Sequence, residues 1–240
     1  DPRARPLMVW KVTADPVHFD EAIDWFRSKA GNAVTREQWD ALDARAKRRA
    51  FMVSGLTKVE IIQRVWEHLD KAIEEGKSFR EFRKEVAQDL DDTWLSKNSA
   101  RLETIYRNNV QSAFAAGRYV QATTPDALEQ HPIWMLDVVM DSRTSEICEP
   151  LDGVKRRADD PWWQGRIPPL HHNCRTGLLT LSEEDAAEMG GITESPPDAR
   201  AQEGWGARLE IDEWKGDPTS YAPELQTEAR RIIEEARKIG

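Results

Sequence analysis

The sequence predicts an α+β fold: a mainly α-helical N-terminal half, then a small β-containing, loop-rich module, then a C-terminal helical tail. Three observations carry this. Apolar residues recur every three to four positions through about residue 121, with capping signals where each stripe begins. From Pro132 the pattern shortens to brief runs of β-branched and apolar residues between turn signals. Past a stretch rich in Pro, Gly and acidic residues, an amphipathic stripe returns at the end. The expected divisions are a helical arm over 1–98, a core over 99–182, and a linker with a final helix over 183–240.

In the first half, Asp15-Pro16 reads as an N-cap with proline at the first helical position, ahead of a stripe at Phe19, Ala22, Ile23 and Phe26. Gly31 ends it. Thr35 with Gln38 makes a capping box and opens a helix expected to run through about Val53. After Gly55, Thr57 with Glu60 makes a second box, and Val59, Ile62, Val65, Trp66, Leu69, Ala72 and Ile73 share one face. Gly76 stops that helix. Ser78 with Glu81 caps the next, striped by Phe79, Phe82, Val86 and Leu90. The longest helix is expected from about Ser99 to Gln121, on Leu102, Ile105, Tyr106, Val110, Ala113, Phe114, Gly117 and Val120. Its small residues Ala113 and Gly117 let another element approach closely, and its polar Asn108, Asn109, Gln111 and Ser112 read as solvated surface.

A strand is expected over 133–140, a brief one from Val154 after the Asp152-Gly153 turn, and a returning one over 175–181. A short helix runs through Met189 to the stop at Gly190-Gly191. Residues 193–220 read as an extended linker, and Leu225, Ala229, Ile232, Ile233, Ala236 and Ile239 stripe the last helix.

The 240 residues suffice for a sizeable core, yet only 39% are hydrophobic and 32% are charged, so much of the chain meets solvent or partners. A net charge of −9 argues against a globally basic nucleic-acid binder. The local cluster Arg45, Lys47, Arg48 and Arg49 reads as a solvated helix face. No apolar run reaches the length of a membrane span. Two cysteines and no secretory pattern at the first residues make a reducing cytosol the default compartment. The ten tryptophans, including the Trp162–Trp163 pair, read as loop anchors rather than a stacking platform.

Chemistry-bearing residues concentrate between Asp141 and Arg175, which hold both cysteines and two of the five histidines. Cys148, His171 and Cys174 are candidate ligands of a zinc-like ion, since thiolates and imidazoles suit that metal and the His171–Cys174 spacing aims two side chains at one centre. Asp141, Asp152, His172 and water stand as candidates for a fourth ligand. Buried thiols with loop-capping histidines are the plain alternative, and a Cys148–Cys174 disulfide in an oxidising compartment is a third.

The ordered pattern Asp141, Arg143, Thr144, Cys148, Leu151, Asp152, Gly153, Pro168, Pro169, Leu170, His171, Asn173, Cys174 and Arg175 resembles the phage Mu F-like family of head morphogenesis proteins. The preceding run Glu103–Arg118 resembles the helix that enters this domain, so the resemblance covers about residues 100–181. Relatives often carry a cysteine where Thr176 stands here, and a histidine at the place of Cys148. The resemblance implies a structural minor head protein of a tailed bacteriophage or prophage, present in few copies and active in capsid assembly. It implies the portal protein and other capsid components as partners, weak contact with phage DNA during packaging or ejection, and a place inside the virion after assembly in the host cytoplasm. No membrane and no small-molecule substrate are expected. Asp141, Arg143, Thr144, Asp152, Gly153, Pro169, Asn173 and Arg175 are expected to shape the module's loops, and no residue is expected to be catalytic.

A metal-dependent hydrolase or nuclease using the Asp141, Cys148, His171 and Cys174 region is the contrasting expectation. The chain shows no general base at a fixed spacing, no phosphate-binding glycine loop and no nucleophile elbow.

Overall fold

A computed structural model describes residues 19–29, 33–40, 51–53, 56, 58–90 and 92–206. Asp15-Pro16, Gly31, Gly55, Thr57, the basic cluster at 45–49 and the final stripe from Leu225 lie outside the described residues. The helical part comprises α1 (Asp20–Arg27), α2 (Arg36–Asp40), α3 (Val59–Glu74), α4 (Phe79–Val86), α5 (Asp92–Lys97), α6 (Ser99–Ala122) and α7 (Pro125–Gln130). Three strands follow: β1 (Ile133–Asp137), β2 (Lys155–Arg157) and β3 (Gly177–Leu181), and then α8 (Glu183–Glu188). The α+β expectation holds, with helices first and strands after.

Two capping boxes form as the sequence dictates. Gln38 N–H donates to Thr35 Oγ1 at 3.3 Å and Thr35 N–H to Gln38 Oε1 at 2.8 Å. The Ser78 box closes with Glu81 in the same reciprocal way. The helix opened by Thr35 does not reach Val53. Phe51 pairs with Ala33 in an isolated parallel bridge, and Val34 N–H bonds Phe51 O at 2.9 Å. Phe51 and Val53 are buried, and Phe51 meets the edge of Phe26, so tertiary packing overrides the helical pattern there. Helix α7 was not foreseen, although Thr124 ahead of Pro125 spells its start: Thr124 Oγ1 accepts Ala127 N–H. Helix α5, unforeseen too, sits just before α6.

The first core gathers the apolar faces of α1, α3, α4 and the first part of α6. Phe26 stacks on Trp66 at 5.4 Å, and Ile62, Val65, Leu69, Phe82, Val86 and Leu102 are fully buried around them. Burial of a side chain of this size contributes about 1.5–3 kcal/mol relative to exposure. α1 crosses α6 at Gly117. A Cβ there would lie 2.7 Å from Ala22 N and 2.8 Å from Phe19 Cζ, so the close approach expected of the small residues is real.

The second core lies under the antiparallel sheet, ordered β2-β1-β3. β1 is buried along Ile133–Leu136, and Trp134 meets Tyr119 of α6 and Trp163 edge to face. Ala122 of α6 joins this second cluster while Leu102 and Ala113 belong to the first, so α6 serves both. The expected first strand ends early, at Asp137, where the chain leaves for the motif loop.

Residues 193–206 are extended, as a linker is expected to be, but they are bonded to the module. Thr193 N–H donates to Lys155 O, Gln202 N–H to Leu170 O and Gly206 N–H to Pro169 O. The Trp162 indole donates to Pro197 O at 3.2 Å, and the Trp163 indole to Arg157 O at 2.8 Å, which makes the tryptophan pair a loop anchor.

Candidate metal centre

Two loops meet at the site, and each is closed by its own sequence before they touch. In the first, Asp141 Oδ1 accepts Arg143 N–H at 2.8 Å, and Thr144 Oγ1 accepts Asp141 N–H while its hydroxyl donates to Val139 O, each at 2.8 Å. This is an Asx-type turn, the reason Asp and Thr occupy its two ends. Ser145 follows; its Oγ and carbonyl both accept from Cys148 N–H, so Cys148 is set at the head of a 3-10 turn over Glu149–Leu151. Asp152 Oδ1 then accepts Val138 N–H at 3.1 Å, and Gly153 turns back at φ 71°, a left-handed value that glycine adopts without strain.

The second loop begins at the cis Pro168–Pro169 bond and turns at Asn173, whose φ is 57°. Asparagine tolerates that left-handed conformation better than most residues. Cys174 N–H donates to His171 O, closing the turn. Asn108 of α6 braces it from outside. Its Oδ1 accepts Asn173 N–H at 2.6 Å, and its amide donates to His172 Nδ1 at 3.1 Å. The sequence suggested a solvated role for Asn108; a polar side chain on an exposed helix face carries no mark of the loop it will meet.

The loops join through an ion pair and a sulfur–imidazole cluster. Arg175 makes a bidentate pair with Asp141 at 2.7 and 2.6 Å, and Arg143 approaches the same carboxylate at 3.5 Å. Cys148 Sγ lies 3.9 Å from Cys174 Sγ and 3.1 Å from His171 Nε2. The sulfurs are not bonded to each other, and both cysteines are buried. Their mutual hydrogen bond pushes the Cys148 thiol up and pulls the Cys174 thiol down, so the two sulfurs titrate as a pair. Among the described residues no other Asp, Glu or His joins this group.

Of the remaining motif residues, Pro169 accepts from Gly206 N–H and stands behind the second loop. Thr176 is buried with its hydroxyl bonded to no nitrogen or oxygen. Arg166 is the structural residue that sequence reasoning missed. Its guanidinium is buried and holds the carbonyls of Ala199 and Trp162 and the Asp198 carboxylate at 2.7–2.8 Å. Two of those three partners are backbone carbonyls, which no motif announces.

The arrangement suits holding an ion or pinning loops better than acid–base catalysis. Asp141 is held by Arg175 and by its own turn, and Asp152 Oδ1 accepts Val138 N–H, so both carboxylates fasten loops.

Residues 63–179 match the sequence family described as "Phage Mu protein F like protein". Over 187 residues the chain is 31% identical to "Putative capsid assembly protein F" of Escherichia phage Mu, an overlap of 71% of this chain and 42% of that protein. The chain belongs to the phage Mu F-like family. It is also 31% identical over 182 residues to the "Mu-like prophage FluMu F protein" of Haemophilus influenzae, spanning 70% of this chain and 43% of that one. The chain thus spans less than half the length of these two relatives. No solved structure matches it significantly. The Mu F-like match begins inside α3 and ends inside β3, so it takes in part of the first core and both motif loops.

The Asp141–Arg175 pair of this Mu F-like module sets a pH dependence. The Arg175 guanidinium first, and Arg143 N–H second, hold the Asp141 carboxyl well below the usual carboxylate range. A carboxyl depressed in the folded state stabilises it above the unfolded pKa, near 3.9, and that contribution is lost as pH falls toward the folded value. Thermal melts from pH 5 down to about pH 2.5 are expected to fall less steeply for Asp141→Asn than for the wild type. Parallel curves would show that the pair does not couple to folding.

Proposed function

We propose that this chain is the part of a minor head protein of a tailed bacteriophage or prophage that acts in capsid assembly, at the portal or the inner face of the shell. The observation that carries this reading is its relatedness, over 71% of its length, to a protein whose name is that of a capsid assembly factor. The architecture supports a structural part in that work. The motif loops are braced on α6 and cross-linked by Arg175 and Asp141, and Asp152 fastens the first of them to Val138 N–H. The net charge of −9 makes protein surfaces the principal partners and leaves DNA contact, during packaging or ejection, as a weak accessory. Among the described residues no helix is long and apolar enough to cross a membrane.

Co-expression of the tagged chain with the portal and major capsid proteins of its own phage tests this. Retention of a head component at near-physiological salt, insensitive to nuclease, is the expected outcome. Retention through DNA alone, falling steeply with salt, would replace the protein partner with nucleic acid. Recovery of the folded chain with no head component would sink the assembly reading.

A further inference from the structure

The geometry points to a metal site with one solvent vertex: Cys148 Sγ, Cys174 Sγ and His171 Nε2 hold a zinc-like ion, and a water beside the Thr176 hydroxyl completes the tetrahedron. This goes beyond the assembly role and does not depend on it.

Four observations converge. First, the three ligand atoms lie within 4.8 Å of one another, with Sγ to Sγ at 3.9 Å and Sγ to Nε2 at 3.1 Å. Bonds of about 2.3 Å to sulfur and about 2.0–2.1 Å to nitrogen give tetrahedral edges of roughly 3.6–3.8 Å, so the two edges at Cys148 fit within about half an ångström, and the Cys174–His171 edge closes by at most about 1.2 Å as the ion draws its ligands in. Second, His171 Nδ1 stands 2.7 Å from His172 O. A carbonyl only accepts, so Nδ1 carries the proton, and Nε2 turns its lone pair to the Ser145 hydroxyl at 2.8 Å and Cys148 Sγ at 3.1 Å, contacts that a bound ion would replace. Metal-bound histidines are commonly oriented by such a bond.

Third, the fourth vertex is open and polar. A cavity of about 10 Å³, room for a single water, is lined by Cys148, His171, Ser145 and Thr176. Thr176 is 1% exposed, and its hydroxyl, bonded to no nitrogen or oxygen, faces the Cys148 and Cys174 sulfurs, where a coordinated water would give it a partner. Fourth, the protein alternatives for that vertex are occupied elsewhere. Asp141 pairs with Arg175, Asp152 accepts Val138 N–H, and His172 meets Asn108 and the Trp205 ring.

Two sulfurs and an imidazole favour zinc over magnesium or calcium. Two thiolates also neutralise a divalent charge, which lets the assembly stay buried. The ion would tie the 3-10 turn at Cys148 to the loop that feeds β3, a staple for a module with little regular structure.

The test uses the full chain purified without chelators. Zinc content is measured first, then Co(II) is bound as a spectroscopic probe, in the wild type, Cys174→Ser, Thr176→Cys and Thr176→Val. The wild type is expected to hold about one zinc, and Cys174→Ser to lose affinity at least about tenfold. Thr176→Cys places a thiolate at the solvent vertex and is expected to tighten zinc by about tenfold or more, with a cobalt spectrum shifted toward three sulfur ligands. Thr176→Val is expected to keep the ion. A wild type that holds no zinc and takes up no cobalt overturns the site. A Thr176→Cys protein with unchanged affinity and spectrum overturns the solvent vertex; because that variant gains a ligand, poor folding of Cys174→Ser does not blunt the test.

Discussion

Gly117→Val is expected to lower the midpoint of thermal unfolding by roughly 6–12 °C, from a loss of about 3 kcal/mol. The cause is that the first atom added at residue 117 meets backbone. A Cβ there lies 2.7 Å from Ala22 N, and a main-chain atom in the first turn of α1 cannot move aside as a flexible side chain would. The aromatic side of the same contact is equally fixed. Phe19 Cζ stands 2.8 Å from the added atom, and the Phe19 ring stacks on Phe114 at 5.6 Å. Relief therefore requires α1 to lift from α6, taking Ala22, Ile23 and Phe26 out of the first core. Gly117→Ala separates sterics from propensity: alanine is favoured over glycine in a helix by about 1 kcal/mol, so its net loss is expected to be smaller. A Gly117→Val protein melting within about 2 °C of the wild type, less than 1 kcal/mol, would mean that α1 is free to shift.

Arg166→Met is expected to release residues 193–206 from the module at a cost of about 2–4 kcal/mol. Arg166 is 2% exposed, and its three hydrogen bonds are charge-assisted. Asp198 is 88% exposed and rehydrates when its partner goes. The carbonyls of Ala199 and Trp162 lose a charged donor, and the guanidinium no longer covers the Trp162 ring, 4.8 Å away. Limited proteolysis reads the result directly, with new cleavage expected between 193 and 206 in the variant. Arg166→Lys is expected to rescue only in part, because an ammonium does not reproduce a planar fork aimed at three acceptors. Unchanged protection of the segment in Arg166→Met would show that the backbone bonds at Thr193, Gln202 and Gly206 hold it unaided.

Much of the helical half was legible because its signals are local. The Thr35 and Ser78 boxes, the α3 stripe and the Ala113–Gly117 small face each specify a neighbour three or four residues away, or a contact that only a small residue permits. The motif loops were legible as a place, since both cysteines and the turn residues fall within one span. What stayed hidden depends on partners distant in sequence. Asn108 and Asn173 are 65 positions apart, and the amide that braces the loop looks like any polar residue on a wet helix face. Arg166 grips carbonyls, which every residue has. The non-helical course of Phe51–Val53 comes from burial against Phe26, a preference that overrides the local period and leaves no trace in it.

Helix α6 touches both cores, and this constrains how the chain can change length over evolutionary time. Each residue of an α-helix turns the chain by about 100° and advances it about 1.5 Å. A single insertion between Ala113, set in the first core, and Ala122, set in the second, would swing one core around the other by more than a quarter turn. It would also displace whichever half of α6 no longer kept its neighbours, whether Gly117 under α1 or Asn108 under the second motif loop. Gaps among relatives should therefore spare the interior of α6, whose residue count is a dimension of the molecule as fixed as any bond in it.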